Sequence, residues 1–175
     1  MEERLYFAYG SNIDLHQMSY RCPNATVVET AVLENYELLF RGNRTGFGVA
    51  TIRPKEGGQV HGLIWKLTLD CERSLDVYEG YPGFYEKQTV SVKTKDGRQL
   101  QVMVYVMTQE RTRAPAPPSP AYYGGIWDGY RQNGLPVKEL QKALVNCWRE
   151  ADELEFQPMK SPQKPKKKEK NSYER

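Results

Sequence analysis

Two short stretches of this chain carry groups suited to anion binding and acid–base chemistry. The first is Tyr9-Gly10-Ser11-Asn12, which follows an apolar run and precedes a short predicted helix. A glycine after a buried strand lets a ligand approach the main chain. Successive N–H groups beside a helix start form an anion cradle, and Ser11 and Asn12 add side-chain donors. The same four residues also suit a plain turn with a helix cap. The second is Glu79, in the last turn of a predicted helix, just before Gly80. The negative end of the helix dipole disfavours its ionised form. Partial burial among Tyr78, Tyr81, Phe84 and Tyr85 would push the same way. A carboxyl raised in this manner fits a general acid–base near neutrality; a glutamate here can equally be a solvated surface residue.

Around these lie supporting candidates. The segment from Tyr78 to Tyr85 is dense enough in aromatics to line a pocket, or to cap a core. Tyr122 follows Pro118-Ser119-Pro120 and can reach a pocket from that stiff loop, or simply pack there. Trp65, Trp127 and Trp148 read as core. The basic stretch Lys164 to Lys170 would suit nucleic acid or anionic lipid, but a solvated tail is the simpler reading.

The rest of the composition removes whole classes. The chain has 175 residues with 39% hydrophobic content, enough for one domain with a core and too much for full disorder. Its 25 basic and 22 acidic residues give +3, but seven basic and two acidic residues lie from Lys160 onward. The remaining body carries −2, so no nucleic-acid partner is expected. The longest apolar run, Val102 to Met107, is six residues, far below the roughly 20 that span a bilayer, so no membrane association is expected. The acids Glu2 and Glu3 stand where a secretory signal needs basic residues. Cys22, Cys71 and Cys147 are widely spaced, and His16 and His61 are the only histidines. Neither a disulfide framework nor a metal site is expected, and the location read from this pattern is cytoplasmic.

Positioning these groups requires a fold, and the hydrophobic pattern supplies one. Leu5 to Tyr9 reads as a buried first strand, followed by a brief helix from Asn12 or Asp14 to Cys22-Pro23-Asn24. Thr26 to Leu33, Tyr36 to Phe40, Phe47 to Ile52 and Val60 to Leu67 read as four further strands. Gly62 marks a bulge or a close backbone approach. Thr68 is an N-cap for a helix with Asp70 and Glu72 in its first turn, stopped by Gly80 and Pro82. Tyr85 to Lys93 and Gln99 to Met107 form a hairpin through Asp96-Gly97. Residues 109–121 read as a proline-rich loop, and a last helix starts at Pro136, its apolar stripe running through Leu140, Cys147, Trp148 and Leu154. The sum is an α+β fold of about seven strands and two or three helices around a mostly antiparallel sheet, with a domain at 1–156 and a Lys-rich tail at 157–175.

Taken together these residues resemble the gamma-glutamylcyclotransferase family within the AIG2-like superfamily. The resemblance is carried by Tyr6-Phe7-Ala8-Tyr9-Gly10-Ser11-Asn12, Gly48-Val49-Ala50-Thr51-Ile52 and Val60-His61-Gly62-Leu63-Ile64-Trp65-Lys66. It continues in Ser74-Leu75-Asp76-Val77-Tyr78-Glu79-Gly80, Pro117-Pro118-Ser119-Pro120-Ala121-Tyr122 and Asn133-Gly134-Leu135-Pro136. It implies a small mixed, mostly antiparallel β-barrel with flanking helices and a cavity at its mouth. The implied reaction turns a gamma-glutamyl amino acid or amine into 5-oxoproline and free amine, without a cofactor. By the same resemblance Glu79 is the acid–base, Tyr9, Gly10, Ser11 and Asn12 hold the glutamyl group, and Tyr85 and Tyr122 line the pocket. The alternatives are a gamma-glutamylamine or gamma-glutamyl natural product as substrate, and a ligand-binding module without turnover. A homodimer stays open.

Overall fold

The computed structural model describes residues 3–42, 46–111 and 114–155. Five strands close into a barrel in the order β1-β3-β2-β4-β5. They are β1 (Arg4–Ala8), β2 (Thr26–Arg41), β3 (Val49–Leu67), β4 (Tyr85–Thr94) and β5 (Gln99–Met107). Every pairing is antiparallel except β1 with β5, which closes the barrel in parallel at Tyr6 and Met103. The flanking helices are α1 (Leu15–Arg21), α2 (Leu69–Glu79), α3 (Pro120–Gln132) and α4 (Val137–Glu155), with a 3-10 turn over Ser11–Ile13. Inward residues of alternating strand positions, among them Phe7, Leu33, Ile64, Val92 and Val104, fill the centre.

The four expected strands between residues 26 and 67 are two long ones. Asn35 and the Gly57-Gly58 pair look like chain breaks, yet they lie opposite one another. Register passes from Glu34↔Gln59 to Tyr36↔Pro54 across the irregularity. Asn35 takes a positive φ of 60°, and its Oδ1 accepts the Gly57 N–H at 3.1 Å. The turn residues therefore make a bulge inside a continuous ladder, which bends both strands without ending them.

Helix α3 is a second departure, since Gly124, Gly125 and Gly129 argue against a helix on propensity. Ser119 starts it by accepting the Tyr122 N–H at 3.1 Å, with Pro120 in the first turn. Packing supplies the rest. A Cβ on Gly129 would lie 2.8 Å from the Asp14 nitrogen, so the missing side chain lets α3 press against the 3-10 turn. The proline-rich segment ahead of it runs along the barrel, with the Gly48 N–H donating to the Pro117 carbonyl at 2.9 Å.

Helix α4 buries Leu140, Ala143 and Cys147 and turns Trp148 outward, 52% exposed. Trp148 follows Cys147 by one position, about 100° around the helix, so it leaves the core stripe. The Lys-rich tail and the boundary expected at 157 lie outside the described residues.

Helix α2 behaves as its sequence indicates. Thr68 Oγ1 accepts the Cys71 N–H at 3.2 Å, and Gly80 ends the helix in the left-handed region at φ 63°. Ion pairs clamp it to the barrel: Lys87 of β4 reaches Glu72 at 2.7 Å and Asp76 at 2.8 Å. Tyr105 of β5 donates its hydroxyl proton to Asp76 Oδ1 at 2.6 Å. The helix's last residue is thereby held over the barrel mouth.

Candidate active site

A cavity of about 370 Å³ opens at that mouth. Its wall draws on β1 and the 9–12 loop that follows it, the start of β3, the C-terminal end of α2, the beginning of β4, the end of β5, and the first turn of α3. All seven residues singled out from the sequence meet there. Glu79 lines it together with Tyr9, Gly10, Ser11, Asn12, Tyr85 and Tyr122.

The 9–12 loop is held from below. Trp65 of β3 donates its indole N–H to the Asn12 carbonyl at 3.0 Å. The Ile13 and Asp14 N–H groups close the 3-10 turn onto the Gly10 and Ser11 carbonyls. The N–H groups that precede such a turn have no acceptor inside it. Ser11 and Asn12 are both buried. Glu79 is half-buried, one oxygen accepting from Asn12 Nδ2 at 3.1 Å, while the second N–H of that amide goes to the Tyr6 hydroxyl at 3.0 Å.

Burial drives the Glu79 carboxyl up from 4.5 to about 7, against the opposing pull of Arg21 and of the Asn12 hydrogen bond. Surrounding phenols are pushed the same way. Desolvation raises Tyr6, Tyr9 and Tyr85 well above the ordinary phenol value, and Tyr122 also rises, so all stay neutral at physiological pH. The site therefore pairs a carboxyl poised to gain or lose a proton with hydroxyls that do neither.

Tyr85 and Tyr122 hold the backbone of one residue from two sides. Tyr85 donates to the Ala50 carbonyl at 2.6 Å, and the Ala50 N–H donates to the Tyr122 oxygen at 3.0 Å. Because the Tyr122 oxygen accepts there, its own proton is free to be donated into the cavity.

Sequence reasoning missed part of this wall. Tyr6 and Tyr105 also line the cavity, where their place in strands marked them only as core. Arg21 was missed too. It stacks 3.8 Å from the centre of the Tyr78 ring and donates to Ser11 Oγ at 3.0 Å and Asn12 Oδ1 at 2.8 Å. The Gln17–Arg21 spacing of one helical turn was a readable signal for a fixed guanidinium, and Gln17 accepts from it at 2.6 Å.

Other chemistries find little support in the side chains. Cys22, Cys71 and Cys147 are free and buried, and desolvation lifts the Cys22 thiol to about 12, far from a thiolate nucleophile. Among the described residues no group of three or more His, Cys, Asp or Glu could hold a metal, and no helix is long and apolar enough to cross a membrane.

Gly10 sets the depth of the cavity. A Cβ there would lie 3.2 Å from the Ala50 Cβ and 3.5 Å from the Tyr122 hydroxyl. Gly10→Val is expected to weaken ligand binding at least about tenfold while the protein still folds. Titration of the variant with glutamate or 5-oxoproline checks this, and unchanged affinity would mean that no ligand touches the loop.

A family model described as gamma-glutamyl cyclotransferase, AIG2-like, matches residues 6–129. Over 151 residues the chain is 38% identical to the gamma-glutamylcyclotransferase of Bos taurus, covering 82% of this chain and 78% of that one. Against the Homo sapiens protein of the same name the identity is 37%, covering 81% and 77%. A solved structure named gamma-glutamyl cyclotransferase superposes with a TM-score of 0.72 at 36% identity, over 81% of this chain and 86% of that one. Its barrel and helices correspond to those described above.

Proposed function

Since the chain belongs to the gamma-glutamyl cyclotransferase, AIG2-like family, we propose that Glu79 is the acid–base of an intramolecular cyclisation releasing 5-oxoproline from a gamma-glutamyl compound. The nucleophile belongs to the substrate. Its α-amine nitrogen attacks its own γ-carbonyl carbon, closing a five-membered ring. The Glu79 carboxylate takes a proton from that nitrogen and returns one to the departing nitrogen as the γ-amide bond breaks. The products are 5-oxoproline and a free amine.

The observation that carries this reading is the carboxyl itself. One Glu79 oxygen is fixed by Asn12, and among the described residues the carboxyl is the one acidic side chain in a wall of phenols, Ser11, Asn12, glycine and apolar groups. Holding the substrate in a ring-closing shape can contribute up to roughly 7–11 kcal/mol, and proton transfer a further factor of about 10²–10⁴. In this reading the N–H groups of the 10–12 loop and the Tyr122 hydroxyl bind the glutamyl carboxylate or the developing oxyanion.

Incubation of the purified protein with a panel of gamma-glutamyl amino acids and amines, scoring 5-oxoproline and the released amine, tests the reaction and identifies the leaving group. Binding of glutamate or 5-oxoproline without any turnover on that panel would overturn it in favour of a non-catalytic binding module.

The acid limb carries a second expectation. The base must be ionised in the free enzyme, so kcat/KM is expected to fall as pH drops through about 7. A bound substrate ammonium stabilises the carboxylate, so the limb of kcat is expected at lower pH. Coincident limbs in the two profiles would contradict this placement of the amine.

A further inference from the structure

We propose that Arg21 is a positioning residue for this reaction. It locks the Asn12 amide with its N–H groups toward Glu79 and lends the cavity a positive charge that steadies the Glu79 carboxylate. The proposal rests on the reading of Glu79 as the acid–base.

An asparagine amide is asymmetric, with one oxygen that accepts and one nitrogen that donates twice. Arg21 Nη1 donates to the Asn12 oxygen at 2.8 Å, which leaves both N–H groups for the Tyr6 hydroxyl and Glu79. Turning the amide over would set its N–H groups against the guanidinium and its oxygen against the carboxylate. Arg21 therefore decides that Asn12 is a donor to Glu79. Asn12 is 2% exposed, so no water substitutes for the lost contact.

Arg21 is itself fixed by the Gln17 oxygen at 2.6 Å, by Ser11 Oγ at 3.0 Å and by its stack on Tyr78. Among the described residues no carboxylate lies within ion-pair distance of it, so no salt bridge neutralises its charge. Lys87 offers a contrast, since Glu72 and Asp76 hold its ammonium at 2.7 and 2.8 Å. The other titratable groups facing Glu79 are phenols: Tyr6 of β1, Tyr9, Tyr78 of α2, Tyr85 of β4, Tyr105 of β5 and Tyr122 of α3. A half-buried carboxylate among phenols is steadied by a nearby cation, and Arg21 stands one side chain away.

The test uses Arg21→Gln, Arg21→Met and Arg21→Lys in the full chain, with the folded state checked by melting. The two neutral variants are expected to move the acid limb of kcat/KM upward by about one pH unit, a loss of about fivefold at pH 7. A ¹³C-carboxyl titration of Glu79 should show the same shift without reference to turnover. Lysine keeps the charge but cannot reach three acceptors and lie flat on Tyr78. Arg21→Lys is therefore expected to keep its limb near that of the unaltered enzyme and to lose kcat by about tenfold. An unmoved limb and Glu79 titration in the neutral variants overturn the proposal. If those variants do not fold, an Arg21→Lys enzyme with unaltered kcat overturns it. Retained activity in a Glu79→Gln enzyme marks instead the failure of the underlying reading.

Discussion

A Glu79→Gln enzyme is expected to fold normally and to release 5-oxoproline at least about a hundredfold more slowly, with KM little changed. Glutamine preserves the shape of the side chain and an oxygen to accept from Asn12 Nδ2, now 3.1 Å from Glu79 Oε1. What it lacks is a protonation state to change. Stability should move the other way. The native carboxyl titrates at about 7, above its ordinary 4.5. Its contribution to stability is therefore full below about pH 4.5 and lost as pH rises through about 7. The glutamine variant undergoes no such loss, so its melting temperature relative to the unaltered protein is expected to climb across that interval. A variant that retains near-normal turnover would remove Glu79 from the mechanism. A difference in melting temperature that stays flat with pH would contradict the raised carboxyl.

Gly62→Ala is expected to disrupt the barrel where β1 crosses β3. A Cβ on Gly62 would lie 2.3 Å from the Ala8 carbonyl oxygen and 2.5 Å from two carbons of the Phe7 ring. One obstacle is backbone and the other a fully buried ring, so neither can step aside cheaply. Overpacking of this kind costs about 1–3 kcal/mol or more, which corresponds to a fall of about 2–12 °C in melting temperature for a domain of this size. Because β1 leads directly into the 9–12 loop, activity should fall further than the loss of folded protein explains. Gly124→Ala is the matched control. A Cβ there meets nothing within 4 Å, and alanine in the middle of α3 is expected to leave stability unchanged or slightly raised. Equal effects of the two substitutions would show that the close approach at Gly62 is not what requires glycine there.

The parts of this site legible in the sequence are those fixed by local rules. Glu79 is placed by a helix whose cap, first-turn acids and left-handed stop are adjacent in sequence, and the 9–12 loop by the junction of a strand with a turn. The β4–β5 hairpin follows from alternation around Asp96-Gly97. What escaped depends on distant partners. Asn35 and Gly57 look like ends because each is a turn residue, and only their apposition makes a bulge. Helix α3 looks unpromising because its glycines are judged by propensity, whereas their value is the close approach to Asp14. Tyr6 and Tyr105 are buried like any core residue, but they lie on the face of their strands opposite Phe7 and Val104, and only the packing of α2 and the 9–12 loop over that face makes it a cavity wall. Arg21 meets Tyr78 only when α1 and α2 are brought side by side.

The double hold on the Ala50 backbone has a consequence for how the site meets its ligand. With the carbonyl taken by Tyr85 and the N–H by Tyr122, both rings have chosen their rotamers before any molecule arrives. The entropy of arranging them is surrendered once, during folding, and is not asked for again at each turnover. Crystals grown with and without a bound glutamyl analogue should superimpose at these two side chains, and selectivity among ligands should then come from how well each guest suits a rigid mould.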